Sequence, residues 1–394
     1  MPPRKKVAAV VTVYHRWSHA DVIVSKLLEG YLHDGKEMPS LELASLYRDQ
    51  KHKEDMAPGL AAKHRFRLSK SIADALTLGG KSLAVDGVLL IGEHGKYPVN
   101  ERGQILYPRR RFLEETAKVF EASGKGVPVF SDKHLAAEWA DAKWMYDKAR
   151  ALMVPFMAGS SVPVTFRKPE LKLPLGCVVE GCVQVGYGPM EGYGFHALEG
   201  MQCMLERRKG GETGVKAVQA FKGKAMWDAF AKVPHGEKLL APLVKMVKAH
   251  APGDMRGICA KDKEAAIIVI DYADGLKAAL CMLNGWVYEF DGTAFLFAGK
   301  LAGKDAPQAC QFYLQQPDPF YHFAQLLRGI EGMVNTGHPP YPVERTLLTT
   351  GILDAAMTSL AEKGRRIDTP HLAIKYEARD HAFATGPIPK GIKR

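Results

Sequence analysis

The sequence predicts an α/β chain in two parts. A doubly wound parallel sheet spans residues 1–160, and an α+β domain with an open, mostly antiparallel sheet spans 161–394. Three observations predict this. The chain has 394 residues, too many for one ordinary domain and suited to two. Its first part alternates apolar β-branched runs with runs of helical period, and parallel neighbours need such crossovers. After about residue 165, strand-like runs follow one another closely, with hairpin signals between them.

The elements follow in order. VAAVVTVY (7–14) reads as a buried strand. SHADVIVSKLLEGYLHDG (18–35) reads as a helix, with Val22, Ile23, Leu27 and Leu28 at helical spacing and Gly35 as its stop. LELASLYRDQ (41–50) is a second strand ending in charge. APGLAAKHRF (57–66) and SKSIADALTLGG (69–80) are helices, the second capped by Ser69 or Ser71. VDGVLLIGEHG (85–95) is a strand with a glycine-rich exit, and YPRRRFLEETAKVFEASGKG (107–126) a long helix. The strand VPVFSDKH (127–134), the helix LAAEWADAKWMYDKARAL (135–152) and the strand VPFMAGSSVPV (154–164) complete the series. In the second part, 176–188, 265–285, 286–299 and 308–316 read as strands, with DYADG and LNG as hairpin turns. Helices are expected over 192–211, 319–337 and 343–364, the last two with the tail packing back on the first domain. The tail 375–394 is polar with Gly and Pro and is expected to drape over the surface.

Composition narrows the function. Hydrophobic residues make up 46% and charged residues 25%, as in ordinary globular proteins, which excludes disordered and fibrous classes. No apolar stretch nears the roughly 20 residues of a membrane span. MPPRKK and the short run after it lack a small-residue cleavage site, so a strand is expected there rather than a secretory signal, and the location is expected to be cytoplasmic. None of the six cysteines forms C-x-x-C, so buried free thiols and no metal site are expected. The net charge of +11 is spread along the chain, which argues against nucleic acid and suits an anionic cofactor, an anionic substrate or simply a basic surface.

The chemistry-bearing residues sit at strand exits. In open α/β sheets that edge is the ligand edge. VYHRWSH follows the first strand, LYRDQ ends the second, GEHG leaves the third long strand, and SDKH leaves the next. With GYGFHALEG in the second part and the late lead-in PVERT, this order resembles the Gfo/Idh/MocA oxidoreductase family, from Val7 to about Tyr376. The resemblance implies a Rossmann-like first domain and a nicotinamide cofactor, NAD favoured over NADP. It implies oxidation of a sugar, polyol or sugar acid, and a homo-oligomer formed through the second domain's sheet. The family's first turn is G-x-G-x-x-G-x-x-H. Aligned on His19, this chain carries Val11, Val13 and Arg16 in the glycine positions. Cofactor contacts are then expected from Thr12, Tyr14, His15 and Arg16, with the last two offering charge to the pyrophosphate. Asp49 is expected to hold the adenosine ribose, unless Arg48 beside it receives a 2′-phosphate. Glu93, His94 and Asp132 are expected near the cofactor. Lys133 matches the lysine of the family's E-K-P, with Asp132 and His134 replacing its neighbours. A lysine there can share a proton with a substrate hydroxyl. His196 matches the histidine of D-x-x-x-H, whose aspartate position falls on Gly192, and Glu191 and Tyr193 are the nearby polar groups. Two alternatives stand beside net oxidation. One is a lyase-like cycle that oxidises transiently and recycles its NAD. The other is a non-catalytic binding or assembly protein on the retained fold, because the altered motifs weaken the cofactor site.

Overall fold

The computed structural model describes residues 3–289, 292–316 and 318–393. The first domain is a six-stranded sheet of β1 (Lys5–Val11), β2 (Leu41–Arg48), β3 (Arg67–Ser69), β4 (Gly87–Ile91), β5 (Val129–Asp132) and β6 (Phe156–Gly159). All neighbours are parallel, in the order β3-β2-β1-β4-β5-β6, so the order reverses between β1 and β4. The helices are α1 (His19–Glu29), α2 (Ala57–His64), α3 (Ile72–Thr77), α4 (Arg109–Ser123) and α5 (Trp139–Ala151). Strand β1 shows why its sequence is apolar from Val7 to Val11. Val7, Ala9 and Val11 join the cluster under α1, whereas Ala8 and Val10 join the one under α3, α4 and α5. Side chains alternate faces along a strand, and here both faces are covered.

The second domain holds an eight-stranded sheet of β7 (Phe166–Lys168), β8 (Val179–Gly186), β9 (Val215–Phe221), β10 (Ala266–Tyr272), β11 (Lys277–Met282), β12 (Gly292–Leu301), β13 (Gln308–Leu314) and β14 (Ile367–Asp368). The order is β14-β9-β10-β11-β8-β12-β13-β7, antiparallel except for β8 with β11. One face packs on α6 (Phe195–Leu205) and α11 (Glu344–Ala361), as Ile268 and Ile270 show. The other packs on α7 (Lys224–Phe230), α8 (Gly236–Met246) and α9 (Met255–Lys261), through Ile267, Val269, Trp227 and Leu243. The sheet face expected to carry an oligomer contact is therefore covered by the chain's own helices. Helix α10 (Tyr321–Thr336) lies against α1 in the first domain's core, through Leu326, Leu327 and Ile330. The tail runs along the second domain, with Tyr376 paired to Glu212 and the Ala384 amide bonded to Val164.

Several expectations change in detail. Residues 69–80 contain the end of β3 and a short helix, because the Ser71 side chain caps the Asp74 amide and starts α3 there. LNG closes no hairpin, since β8 lies between β11 and β12 and takes the ladder bonds of both. The strand expected over 286–299 starts at Gly292, and its residues Phe290 and Asp291 lie outside the described residues. The strand expected over 154–164 ends at Gly159, and Pro163 sits in a 3₁₀ turn.

Candidate active site

The strand ends of the first domain meet the second domain at a cleft of about 230 Å³. His19 comes from the start of α1, Glu93 and His94 from the exit of β4, and Lys133 from the exit of β5. Tyr193 and His196 come from the turn into α6, where Met190–Gly194 winds as a π-helix before the α-helix begins. Thr293 and Phe295 of β12 and His322 of α10 close the far side. A larger groove of about 620 Å³ runs between α3 and α4 but lies away from these strand ends.

Backbone strain concentrates here. Trp17, His94, Lys133, Thr293 and Phe320 all line the cleft and all have positive φ, at 63°, 69°, 66°, 59° and 48°. Left-handed backbone is uncommon for non-glycine residues and rarest for a β-branched one such as Thr293. Such strain clusters at functional sites. Three buried polar atoms of the lining, His94 Nε2, Thr293 Oγ1 and His322 Nδ1, have no hydrogen-bond partner among the described residues. An unpartnered buried polar atom is costly unless a ligand or water completes it.

A ladder of buried charge supports the cleft floor. Lys133 Nζ lies 3.4 Å from Glu93 Oε1, and Arg109 donates to Glu93 Oε2 at 2.8 Å. Burial by itself raises the Glu93 carboxyl, but Lys133 and Arg109 outweigh it and hold it well below the usual carboxylate range. Arg109 Nη1 lies 2.9 Å from His134 Nε2, and Glu191 Oε1 stands 3.0 Å from the same nitrogen. Burial and the Arg109 cation lower the His134 pKa, with Glu191 opposing them. His94 is lowered to about 4 and His322 to about 3, in each case chiefly by burial. Behind the cleft, the buried Glu199 accepts from Thr346 and Thr349 of α11. Burial raises its pKa.

The expected residues divide into groups. Glu93, His94, Lys133, Tyr193 and His196 come together around the cleft. Glu191 stands behind it, reaching in through His134 because the π-helical turn carries it there. Asp132 binds His19, with Oδ2 2.6 Å from Nδ1. Thr12 donates to the Glu93 carbonyl, and Tyr14 is buried against Ser25 at 2.8 Å. The His15 ring lies against His52, tilted by 33° with centroids 4.2 Å apart, and Arg16 faces Asp318 at 3.4 Å. Asp49 lies at the end of β2, bonded by Tyr47, Tyr97 and Arg111. Sequence reasoning gave no role to His19, Arg109, Ser160, Thr293 or His322. The triple arginine of YPRRRF and the closing histidine of the first turn were usable signals for two of them. Thr293 and His322 come from distant elements and carry no local signal.

A dinucleotide held in the usual way does not fit the first turn. Glycine turns bring helix amides against a pyrophosphate. Here β1 ends at Val11 and α1 starts only at His19, and several of the amides between are engaged internally. The His15 amide donates to Ser18 Oγ at 3.2 Å, the Trp17 amide to Asp21 at 2.9 Å, and the Ser18 amide to the His15 carbonyl at 3.0 Å. Asp49, the residue expected to hold a ribose, is engaged by the chain itself as well. Asp49 already accepts from three donors, and Gln50 and Lys96 bond reciprocally across it at 2.8 and 3.0 Å.

The doubly wound domain and the mixed sheet form an architecture that is similar to solved structures of dehydrogenases of the Gfo/Idh/MocA type. One is GenD2 from gentamicin A biosynthesis in complex with NAD, with 14% identity, TM-score 0.57, and coverage of 93% of this chain and 97% of that one. Another is a myo-inositol dehydrogenase from Lactobacillus casei in complex with NAD(H) and myo-inositol, with 9% identity, TM-score 0.56, and coverage of 92% and 96%. A third is a myo-inositol dehydrogenase from Corynebacterium glutamicum, with 12% identity, TM-score 0.54, and coverage of 92% and 98%. At these identities the likeness shows the fold. No family model matches the sequence, and no curated protein matches it. Among the described residues, no helix is long and apolar enough to cross a membrane, and no group of three or more His, Cys, Asp or Glu is placed to hold a metal. All six cysteines are free.

Proposed function

We propose that the chain is an enzyme acting on a sugar, polyol or sugar acid in the cleft, where Lys133 and the cleft histidines move a proton of a substrate hydroxyl. The observation that carries this reading is the concentration of strained non-glycine residues and unpartnered buried polar atoms around Lys133 and His196. Oxidation of the carbinol carbon is the reaction favoured by the fold, because similar structures are dehydrogenases that hold NAD and, in one case, myo-inositol. Fold alone does not settle chemistry, so a lyase-like cycle belongs to the same reading. A second reading, a cofactor-free role in catalysis or binding, is favoured by the first turn and Asp49, whose polar groups the chain itself occupies. No step is therefore routed through nicotinamide.

One experiment separates them. Freshly purified protein is denatured and searched by mass for released NAD(H) or NADP(H), and both cofactors are titrated into stripped protein. Release, or binding at micromolar level, supports the oxidoreductase and selects its cofactor. No release and no binding up to millimolar level sinks that reaction and leaves the cofactor-free reading.

A further inference from the structure

We propose that His19, oriented by Asp132, is the proton acceptor of the cleft, and that His196, oriented by Ser160, is a fixed N–H donor. This rests on the cleft being the functional site and assigns roles within it. A neutral imidazole carries one N–H and one lone pair, and the partner of one nitrogen decides what the other presents.

The two histidines have opposite partners. His19 opens α1, and its Nδ1 lies 2.6 Å from Oδ2 of Asp132, the last residue of β5. Asp132 is buried, and as a carboxylate it can only accept. The proton therefore sits on His19 Nδ1, and whenever the ring carries a single proton its Nε2 offers a lone pair. His196 Nδ1 lies 2.6 Å from Ser160 Oγ. That hydroxyl already accepts from the Val162 amide at 3.0 Å, so its own hydrogen needs an acceptor. Among the described residues, His196 Nδ1 is the acceptor within reach, so His196 carries its proton on Nε2. Both rings line the cleft, and no described residue bonds either Nε2. Burial, then Lys133 and His19, also oppose charging His196, which makes it a poor base.

The assignment gives a balanced proton step. The O–H bond of a substrate hydroxyl breaks, and a bond forms between that hydrogen and His19 Nε2. The positive charge on the imidazolium stands beside the Asp132 carboxylate, an arrangement that also holds the ring in its productive tautomer. The negative charge left on the substrate oxygen faces two donors of the cleft lining, the Lys133 ammonium and the His196 Nε2–H. His19 is thus a catalytic candidate, and Asp132 and Ser160 are positioning residues.

The test reads tautomers directly. The full chain is labelled with ¹⁵N-histidine and long-range ¹H–¹⁵N spectra are recorded, with His19→Gln and His196→Gln assigning the two rings. The expected result is an Nδ1–H form for His19 and an Nε2–H form for His196. His19 as Nε2–H, or His196 as Nδ1–H, overturns the proposal. Asp132→Asn should move His19 to the Nε2–H form, since an amide can donate to Nδ1, and Ser160→Ala should release His196 into a mixture. Unchanged tautomers in both folded variants would also overturn it. Should the variants not fold, the unmodified chain still decides. These spectra need no ligand, so failure of the polyol reading shows separately, as no shift at either Nε2 on adding D-gluconate or myo-inositol.

Discussion

At the residue scale, the cleft depends on atoms too close to allow a side chain. Gly159 ends β6 with φ of +121°, and a Cβ there would meet Glu199 Oε2 at 2.5 Å and Thr346 Oγ1 at 2.7 Å. Gly159→Ala therefore adds backbone strain to an overpacked buried carboxylate, each effect costing about 1–3 kcal/mol. Gly303 also has positive φ, at +70°, but nothing lies within 4 Å of its Cβ position. Urea unfolding should show a much larger loss for Gly159→Ala than for Gly303→Ala; equal losses would mean that the contact with Glu199 is unimportant. Lys133 and His196 were readable as chemistry-bearing residues at the ends of their elements. Their partners were not. Glu93, past the end of β4, meets Arg109 at the start of α4, and His196 of α6 meets Ser160 just past β6, pairings that only the packed fold makes.

At the element scale, α1 is started by Ser18, which is fully buried. Its Oγ accepts from the Asp21 and His15 amides and donates to the His15 carbonyl at 2.6 Å. A helix cap of this kind is worth about 0.5–2 kcal/mol, and burial places Ser18 towards the upper end. Ser18→Ala should lower stability by about 2 kcal/mol in chemical denaturation. A loss within error would show that the turn holds itself without the cap. The first domain's strands and helices, apart from the three-residue β3, were legible because they have a clear period and turn residues at their boundaries. The helices covering the second sheet were not. Residues 224–261 are broken by Pro234, Gly236 and Pro242, the last inside α8, so no window shows a sustained helical period. Strand β9 stands just before them and was missed as well.

At the scale of the whole molecule, burial sets a pH dependence. His94 is lowered to about 4, and His322 and His381 to about 3, against an ordinary value of 6.5. The unfolded chain binds protons at these sites before the folded one does, so stability rises with pH across this window. The contribution is complete above about 6.5 and is lost as pH falls towards the folded values of about 4 and 3. The urea midpoint should hold above neutrality and fall steadily in acid, and His322→Phe should flatten part of that fall. A midpoint independent of pH in this range would contradict the buried neutral histidines. By itself the sequence determined the two-part α/β order, the polar strand exits of the first domain with Glu93 and Lys133, and the glycine-rich lead into a helix that bears His196, because these follow from local period and spacing. Only the tertiary structure decided what those residues face. It stitched the first turn to its own side chains, set Tyr97 and Arg111 on Asp49, covered the second sheet with α7, α8 and α9, and gave two cleft histidines opposite partners. Such pairings join residues far apart in the chain, and only packing brings them within hydrogen-bond reach.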